Sequence, residues 1–114
     1  MEYMLLLVRD DAEWEGLSPS EQDYAGIGRW WAQLAQQGVL RDGRELKPAR
    51  TATTVRWDGA KPMVTDGPFL EAKETIGGYG VIDVPDLDVA IQIARSWPAR
   101  GHKVEIRPVV PREQ

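Results

Sequence analysis

The pattern of apolar and polar positions along the chain predicts alternating strands and helices. Residues 3–8, YMLLLV, are apolar at every position, whereas a strand with one face in water alternates between apolar and polar residues. We therefore expect a first strand that is covered on both faces.

A helix is predicted next, over residues 18–38. Its start has Ser18 as N-cap, Pro19 at the first helical position and Glu21 to complete a capping box. Gly38 is placed to end the helix in a left-handed cap. An apolar stripe at helical spacing is expected to face the core, and its members are Tyr24, Ile27, Trp31 and Leu34.

The second half of the chain has a strong hairpin signal. Two strand-like runs within residues 51–65 meet at Asp58-Gly59, a dipeptide that accepts the positive φ angles of a tight turn. Residues 39–46, VLRDGREL, are candidates for a short turn, and two or three strands in all are expected between the two predicted helices. The remaining predicted elements are a strand over 77–84, whose glycines indicate a bulge or a close approach by another group, a helix over 85–98 that begins at Asp86 or Asp88, and a strand over 103–110.

This order of elements is that of an α+β domain with the ferredoxin-like split βαβ fold. The 114 residues are predicted to form a single domain, 1–114. Two helices cover only one face of such a sheet, so we expect a second copy of the chain to cover the other face in a homodimer.

Composition excludes several classes of function. A net charge of −4 argues against nucleic acid or a membrane surface as partner, and the first apolar run is too short to span a bilayer. Cysteine is absent, which excludes thiol chemistry and fits a cytoplasmic location. One histidine, no closely spaced pair of carboxylates in a recognisable loop and no phosphate-binding loop predict no metal and no cofactor.

Residues 64–80, VTDGPFLEAKETIGGYG, hold the densest candidate chemistry. Asp66-Gly67-Pro68 is predicted to turn the chain out of the sheet into a loop, because proline has no N–H for a strand ladder. In a structural interpretation, Asp66 caps its own turn, Phe69 anchors in apolar surface and the loop charges are solvated. In a functional interpretation, a pocket over the open sheet face is lined by Asp66, Lys73, Glu74, Tyr79, Glu105 and Arg107.

These residues resemble the DGPF-type branch of the YCII-related family. The shared pattern consists of Asp66-Gly67-Pro68-Phe69, Lys73-Glu74, Gly77-Gly78-Tyr79 and Glu105, Arg107 and Pro108, together with EYMLLLV and ELKPARTATTVR. The resemblance covers nearly the whole chain and implies a ferredoxin-like fold that pairs into a dimeric α+β barrel. It implies no established reaction, and some such proteins look like accessories encoded near extracytoplasmic-function sigma factors. Where the wider superfamily has enzymes, a histidine paired with an aspartate is the proposed acid–base unit, and the only histidine here is His102.

Two functions follow as hypotheses. The first is a binding protein or regulatory accessory, whose partner is a small organic ligand or a regulatory protein. The alternative is a cofactor-free enzyme that performs acid–base chemistry on a small organic acid or phenol. The candidate catalytic residues are Asp66, Glu74 and His102, and the candidate ligand-binding residues are Lys73, Tyr79, Glu105, Arg107 and Phe69.

Overall fold

A computed structural model describes residues 1–112 of the chain. The strands are β1 (Glu2–Arg9), β2 (Leu40–Glu45), β3 (Thr53–Asp58), β4 (Lys61–Asp66), β5 (Thr75–Asp83) and β6 (Lys103–Pro108). The helices are α1 (Asp11–Gly16), α2 (Pro19–Gln22), α3 (Tyr24–Gln36) and α4 (Leu87–Arg95), with a short 3₁₀ turn at Ala49–Thr51. None of the helices in this part of the chain is long and apolar enough to cross a membrane.

The main sheet has four strands in the order β2-β5-β1-β6, and each neighbouring pair is antiparallel. This order is consistent with the predicted ferredoxin-like α+β fold. Strands β1 and β5 form the centre of the sheet, and the two strands that directly follow the helices, β2 after α3 and β6 after α4, form its edges. Strands β3 and β4 pair only with each other and form a separate hairpin between β2 and β5. The hairpin prediction is confirmed, and Gly59 in its turn has a φ of 61°.

The core lies between the main sheet and the helices. Tyr3 and Leu5 of β1 are buried there, and Tyr3 pairs with the fully buried Ile82 of β5. Helix α3 contributes Trp30 and Leu34 to this core. The alternate residues of β1, Met4, Leu6 and Val8, are half-buried and lie on the opposite face, which no helix covers.

The predicted helix start is confirmed, but the helix is divided. Ser18 and Glu21 form the capping box, and Asp23 then takes a left-handed conformation (φ 49°) that ends α2 and begins α3. The predicted core stripe is confirmed for Leu34, which is buried, and for Trp31, which is half-buried and packs against the core. Ile27 is half-buried, and Trp30, outside the predicted stripe, is buried as well. The prediction was wrong for Tyr24, which is 48% exposed.

Close approaches explain the glycines of β2 and β5. A Cβ on Gly80 would lie 3.1 Å from the Trp31 ring, and Gly43 is packed still more tightly against the same ring. A bulge interrupts the pairing of β1 with β5 between Leu7 and Val8. Both predicted roles of the β5 glycines are thus confirmed. Residues 40–45 form edge strand β2, where a short turn was expected because LRDGRE lacks any strand-like alternation. The chain therefore has four strands between α3 and α4, one more than the larger expected number.

Candidate functional site

An enclosed cavity lies at the end of β1, between the helix-covered face of the sheet and the helices. Its volume is about 30 Å³, enough for one or two water molecules. We call it the aromatic pocket, because four of its lining residues are tryptophan or tyrosine. The lining residues are Trp14, Tyr24, Trp31 and Trp97, with Leu7, Arg9, Ile27, Glu45, Gly77 and His102.

Arg9 provides the buried charge of the pocket. Only 5% of this residue is exposed, and its Nη1 donates to Glu45 Oε2 at 3.0 Å while Nη2 donates to the Leu46 carbonyl at 3.2 Å. The guanidinium carbon lies 5.3 Å from the Trp14 ring centroid, within cation–π range. Gly77 is required beside Arg9, because a Cβ there would overlap the Arg9 side chain. The arginine is therefore fixed by its surroundings before any ligand arrives.

Tyr24 and Glu45 close the pocket on its outer side. The Tyr24 hydroxyl donates to Glu45 Oε2 at 2.7 Å, the same oxygen that accepts from Arg9. Burial and the hydrogen bond to Glu45 raise the pKa of Tyr24, so the phenol stays protonated as a donor at neutral pH. Beyond this pair lies an open cleft of about 340 Å³, which shares Arg9, Trp14, Tyr24 and Glu45 with the pocket.

His102 and Trp97 also line the pocket. The His102 ring lies edge-on to Trp14 and Trp97, at centroid distances of 4.9 and 5.4 Å. Burial lowers the pKa of His102, which favours the neutral ring at pH 7. Its Nδ1 lies 3.3 Å from the Arg100 carbonyl, which can only accept; in the tautomer that donates to this carbonyl, Nε2 is an acceptor.

Trp97 carries an unpaired donor. Its Nε1 is buried and has no hydrogen-bond partner among residues 1–112. By contrast, the neighbouring Trp30 donates from Nε1 to Ser96 Oγ at 2.9 Å. Leaving a buried N–H unpaired costs on the order of 1–3 kcal/mol, which an acceptor that reached Nε1 would recover.

The Asp66 turn lies away from the aromatic pocket. Strand β4 ends at Asp66 and no strand follows until Thr75, so the predicted exit from the sheet is confirmed. Gly67 has a φ of 96°, its N–H donates to the Ala52 carbonyl at 2.7 Å, and its own carbonyl accepts from Thr54 Oγ1 at 2.7 Å. The exposed Asp66 carboxylate makes no hydrogen bond within residues 1–112. The backbone of Gly67 therefore fastens this turn, and the predicted carboxylate cap was wrong.

The loop after this turn is exposed. Phe69 is 74% exposed, so the expected apolar anchor is not formed within the chain. Glu74 accepts from Lys103 Nζ at 2.8 Å in a surface ion pair, and Lys73 is exposed. Neither Asp66 nor Glu74 lines the aromatic pocket that holds His102, although Glu74 is bonded to Lys103, the residue next to His102.

Three predicted ligand-binding residues do lie together on the open face of the sheet. Leu6 pairs with Tyr79 on one side and with Glu105 on the other, and Met4 pairs with Arg107. The Tyr79 hydroxyl donates to Asp42 Oδ2 at 3.0 Å, and Glu105 lies 3.8 Å from Arg107. The open face thus has an apolar centre with charged residues on both edges.

Sequence reasoning missed most of the aromatic pocket. Of its residues, only His102 was a candidate, while Tyr24, Ile27 and Trp31 were assigned to the core. Arg9 follows an apolar strand and looks like a surface charge, yet it is held inside by Glu45, 36 positions away. Trp14 lies on helix α1, which was not predicted although Asp10 caps it by accepting from Ala12 and Glu13 N–H groups. An Asp-Asp pair directly after a strand was the available signal for this helix.

Within residues 1–112 no group of three or more potential metal ligands is assembled. The fold and the pocket together define a small α+β domain with an enclosed aromatic site beside an open cleft. The chain belongs to the YCII-related domain family, whose match extends over residues 1–113. It is also 30% identical, over 118 residues, to an uncharacterised protein of Rhizobium meliloti (strain 1021), with 96% of this chain and 92% of the relative covered.

Proposed function

We propose that this protein is a homodimeric binding protein for a small aromatic compound with a hydroxyl group, such as a phenol, held in the aromatic pocket. The observation that carries the proposal is the unpaired Nε1 of Trp97, a residue that lines the pocket together with the neutral His102. A hydroxyl group can accept from the indole N–H and donate to His102 Nε2. The edge-on aromatic walls suit a flat apolar ring.

The pocket must open to admit such a ligand. At about 30 Å³ it is much smaller than the roughly 150 Å³ cavity that binds benzene in an engineered protein core. The adjoining cleft supplies about 340 Å³, and the Glu45 carboxylate stands between the two spaces. The Glu45 side chain is 48% exposed and would enter water when it moves, at the cost of its bonds to Arg9 and Tyr24. Arg9 would keep its contacts with Asp11 and the Leu46 carbonyl. Movement of Glu45 is the step that joins the cleft to the pocket.

A matched pair of ligands tests this function. Phenol and toluene have similar shape, but only phenol has a hydroxyl group, so we expect phenol to bind at least about tenfold more tightly, or roughly 1.4 kcal/mol. Binding is followed by tryptophan fluorescence in a Trp57→Phe background, because Trp57 lies outside the pocket and would add a constant signal. Trp97→Phe and His102→Gln should each reduce the preference for phenol. Equal binding of the two compounds, or binding of neither, would contradict the proposal.

The homodimer is proposed through the open face of the sheet. Met4, Leu6 and Val8 are only half-buried there, and Ile76 is exposed, which is costly for a monomer in water. Both edges carry charges of both signs, Asp42 and Arg44 on β2 and Glu105 and Arg107 on β6. A two-fold axis along the strands would lay β2 of one subunit over β6 of the other, so that opposite charges can meet.

Such a dimer would be a dimeric α+β barrel, with Tyr79, Glu105 and Arg107 enclosed between the sheets. Sedimentation at micromolar concentration should report a dimer, and Leu6→Lys on the open face should dissociate it. Dissociation of Leu6→Lys with an unchanged circular dichroism spectrum supports this interface. A wild-type monomer under these conditions would contradict it.

A cofactor-free enzyme is the second candidate, and His102 favours it. A neutral imidazole that lines a largely apolar pocket supports a role for His102 as the base that removes a proton from a bound carbon acid or phenol. The test is exchange of carbon-bound protons with D₂O, followed by NMR on a panel of small keto acids and phenols. We expect His102→Gln to lose exchange while retaining some binding. If no compound exchanges faster with the wild type than with His102→Gln, the protein is a binding protein only.

A further inference from the structure

The β3–β4 hairpin projects from the domain and has no cover of its own. We call residues 53–66 the arm. Its strands pair only with each other, from Thr53 opposite Asp66 to Asp58 opposite Lys61. The Gly67 turn fastens the base of the arm through Ala52 and Thr54. The Cα radius of gyration is 16.1 Å, whereas a compact chain of this length has about 13 Å.

The arm has one apolar face and one polar face. Paired residues share a face and alternate residues change face, so Val55 and Val64 lie on the same side as Trp57 and Pro62. The exposed fractions on this face are 47% for Val55, 66% for Trp57 and 67% for Val64. The opposite face has the pairs Thr54–Thr65, Arg56–Met63 and Asp58–Lys61. This is the pattern of a ribbon with one face meant for burial.

An isolated two-stranded ribbon is at best marginally stable in water, because it has no third layer to cover its apolar side. The arm cannot obtain that layer from the helices of its own domain, because they pack against the main sheet. We propose that the apolar face of the arm packs against a second copy of this chain. This inference rests on the proposed homodimer and adds a second contact to it.

A second copy suits the arm better than an unrelated partner for two reasons. The described part of the chain has two uncovered apolar surfaces, the open sheet face and the arm. A two-fold dimer can bury both surfaces of each subunit, because every contact in it occurs once per subunit. The charges beside these surfaces are mixed, with Arg56, Asp58 and Lys61 on the arm, rather than of the single sign that would select an oppositely charged partner. A stable interface also needs about 800 Å² from each subunit, and one tryptophan buries about 150–250 Å² of that.

Neighbouring residues of β4 provide a matched test. Val64→Lys and Thr65→Lys place the same charge at adjacent exposed positions, the first on the apolar face and the second on the polar face. We expect Val64→Lys to raise the dimer dissociation constant at least about tenfold, or roughly 1.4 kcal/mol. Thr65→Lys should leave it within about twofold of the wild type. Analytical ultracentrifugation measures both constants, with circular dichroism to verify folding.

The possible outcomes separate the arm from the sheet interface. If Leu6→Lys dissociates the dimer while Val64→Lys and Trp57→Ala do not, the sheet interface stands and the arm contact is refuted. Trp57→Ala adds no charge and decides the question if Val64→Lys does not fold. Equal effects of Val64→Lys and Thr65→Lys also overturn the proposal, because they indicate a general effect of charge. A wild-type chain that stays monomeric overturns both contacts.

Discussion

The indole ring of Trp31 lies directly on the backbone of Gly43, so closely that a Cβ at that position would overlap the ring. Trp31 also lines the aromatic pocket, and Gly43 is the midpoint of edge strand β2. Because Gly43 has no side chain, the Trp31 ring can lie against the sheet, and the position of this ring sets the width of the pocket on this side.

Gly43→Ala should therefore destabilise the fold by about 1–3 kcal/mol, the usual cost of overpacking. The control is Gly28→Ala in α3, where a Cβ meets nothing within 4 Å. That change should stabilise the protein by about 0.5–1 kcal/mol through higher helix propensity. Urea unfolding monitored by circular dichroism measures both. A neutral Gly43→Ala would show that Trp31 can retreat from the sheet, and that the pocket wall is soft.

The pH dependence of stability should report on His102. Burial lowers its pKa in the folded state below about 6.5, the value of an unfolded histidine, so the unfolded chain binds more protons in this window. The stabilisation from the neutral ring is fully present above pH 6.5 and is lost as the pH falls through the lower folded pKa. In His102→Gln the urea midpoint should therefore depend less on pH between pH 7 and about 5.5 than it does in the wild type. This pH range lies above the one in which carboxylates titrate.

His102 is the only histidine in the chain, so its NMR titration can be assigned without ambiguity. A folded-state pKa at or above 6.5 would contradict the prediction and would remove the neutral acceptor that both proposed functions need. The matching control is the slope of the urea midpoint against pH between about pH 3 and 5, compared in the wild type and His102→Gln. There Asp83, whose pKa is lowered by the N-terminal amine, and Glu21, whose pKa is lowered by its hydrogen bonds with Ser18, should contribute equally in both proteins.

The Asp66 turn can be tested with two neighbouring substitutions. Asp66→Asn should change neither the melting temperature nor phenol binding, because the carboxylate is exposed and lies outside the aromatic pocket. Gly67→Ala should cost at least about 1 kcal/mol, since an alanine at a φ of 96° is strained. The thermal midpoint and a phenol titration supply the two readouts. Weaker ligand binding in Asp66→Asn with an unchanged midpoint would restore Asp66 to the site, as the functional interpretation of the sequence expected.

The elements of the fold were predictable where local pattern and tertiary packing agree. The capping box at Ser18 and the Asp58-Gly59 hairpin depend on nearby residues, and both are found. Strand β2 depends on pairing with β5 and on Trp31 above Gly43, which no local pattern encodes. Asp23 divides the predicted helix because its left-handed backbone is stabilised by its own side chain capping Gly26.

The candidate site was harder to predict for the same reason. Arg9, Glu45 and Trp97 come from three distant segments, and only the folded chain brings them to one cavity. A motif search favours residues that are close in sequence, such as those around Asp66, and the structure places that segment on the exposed surface. Phe69 illustrates the limit. An aromatic residue in a charged loop predicts an anchor, yet Phe69 is exposed in the single chain. Its burial therefore depends on a partner, which the sequence does not show.

The last prediction compares two tryptophans that differ in hydrogen bonding. Trp30 donates to Ser96 Oγ at 2.9 Å and is buried, whereas the Trp97 N–H is buried without a partner in the described part of the chain. Trp30→Phe loses a satisfied bond as well as packing, while Trp97→Phe removes an unsatisfied donor that offsets its packing loss. We expect Trp30→Phe to cost about 1–2 kcal/mol more than Trp97→Phe in urea unfolding. Ligand binding should show the reverse order, because only Trp97→Phe removes the donor for a phenol hydroxyl. Equal stability losses, together with equal phenol binding, would mean that the Trp97 N–H has a partner in solution and is not reserved for a ligand.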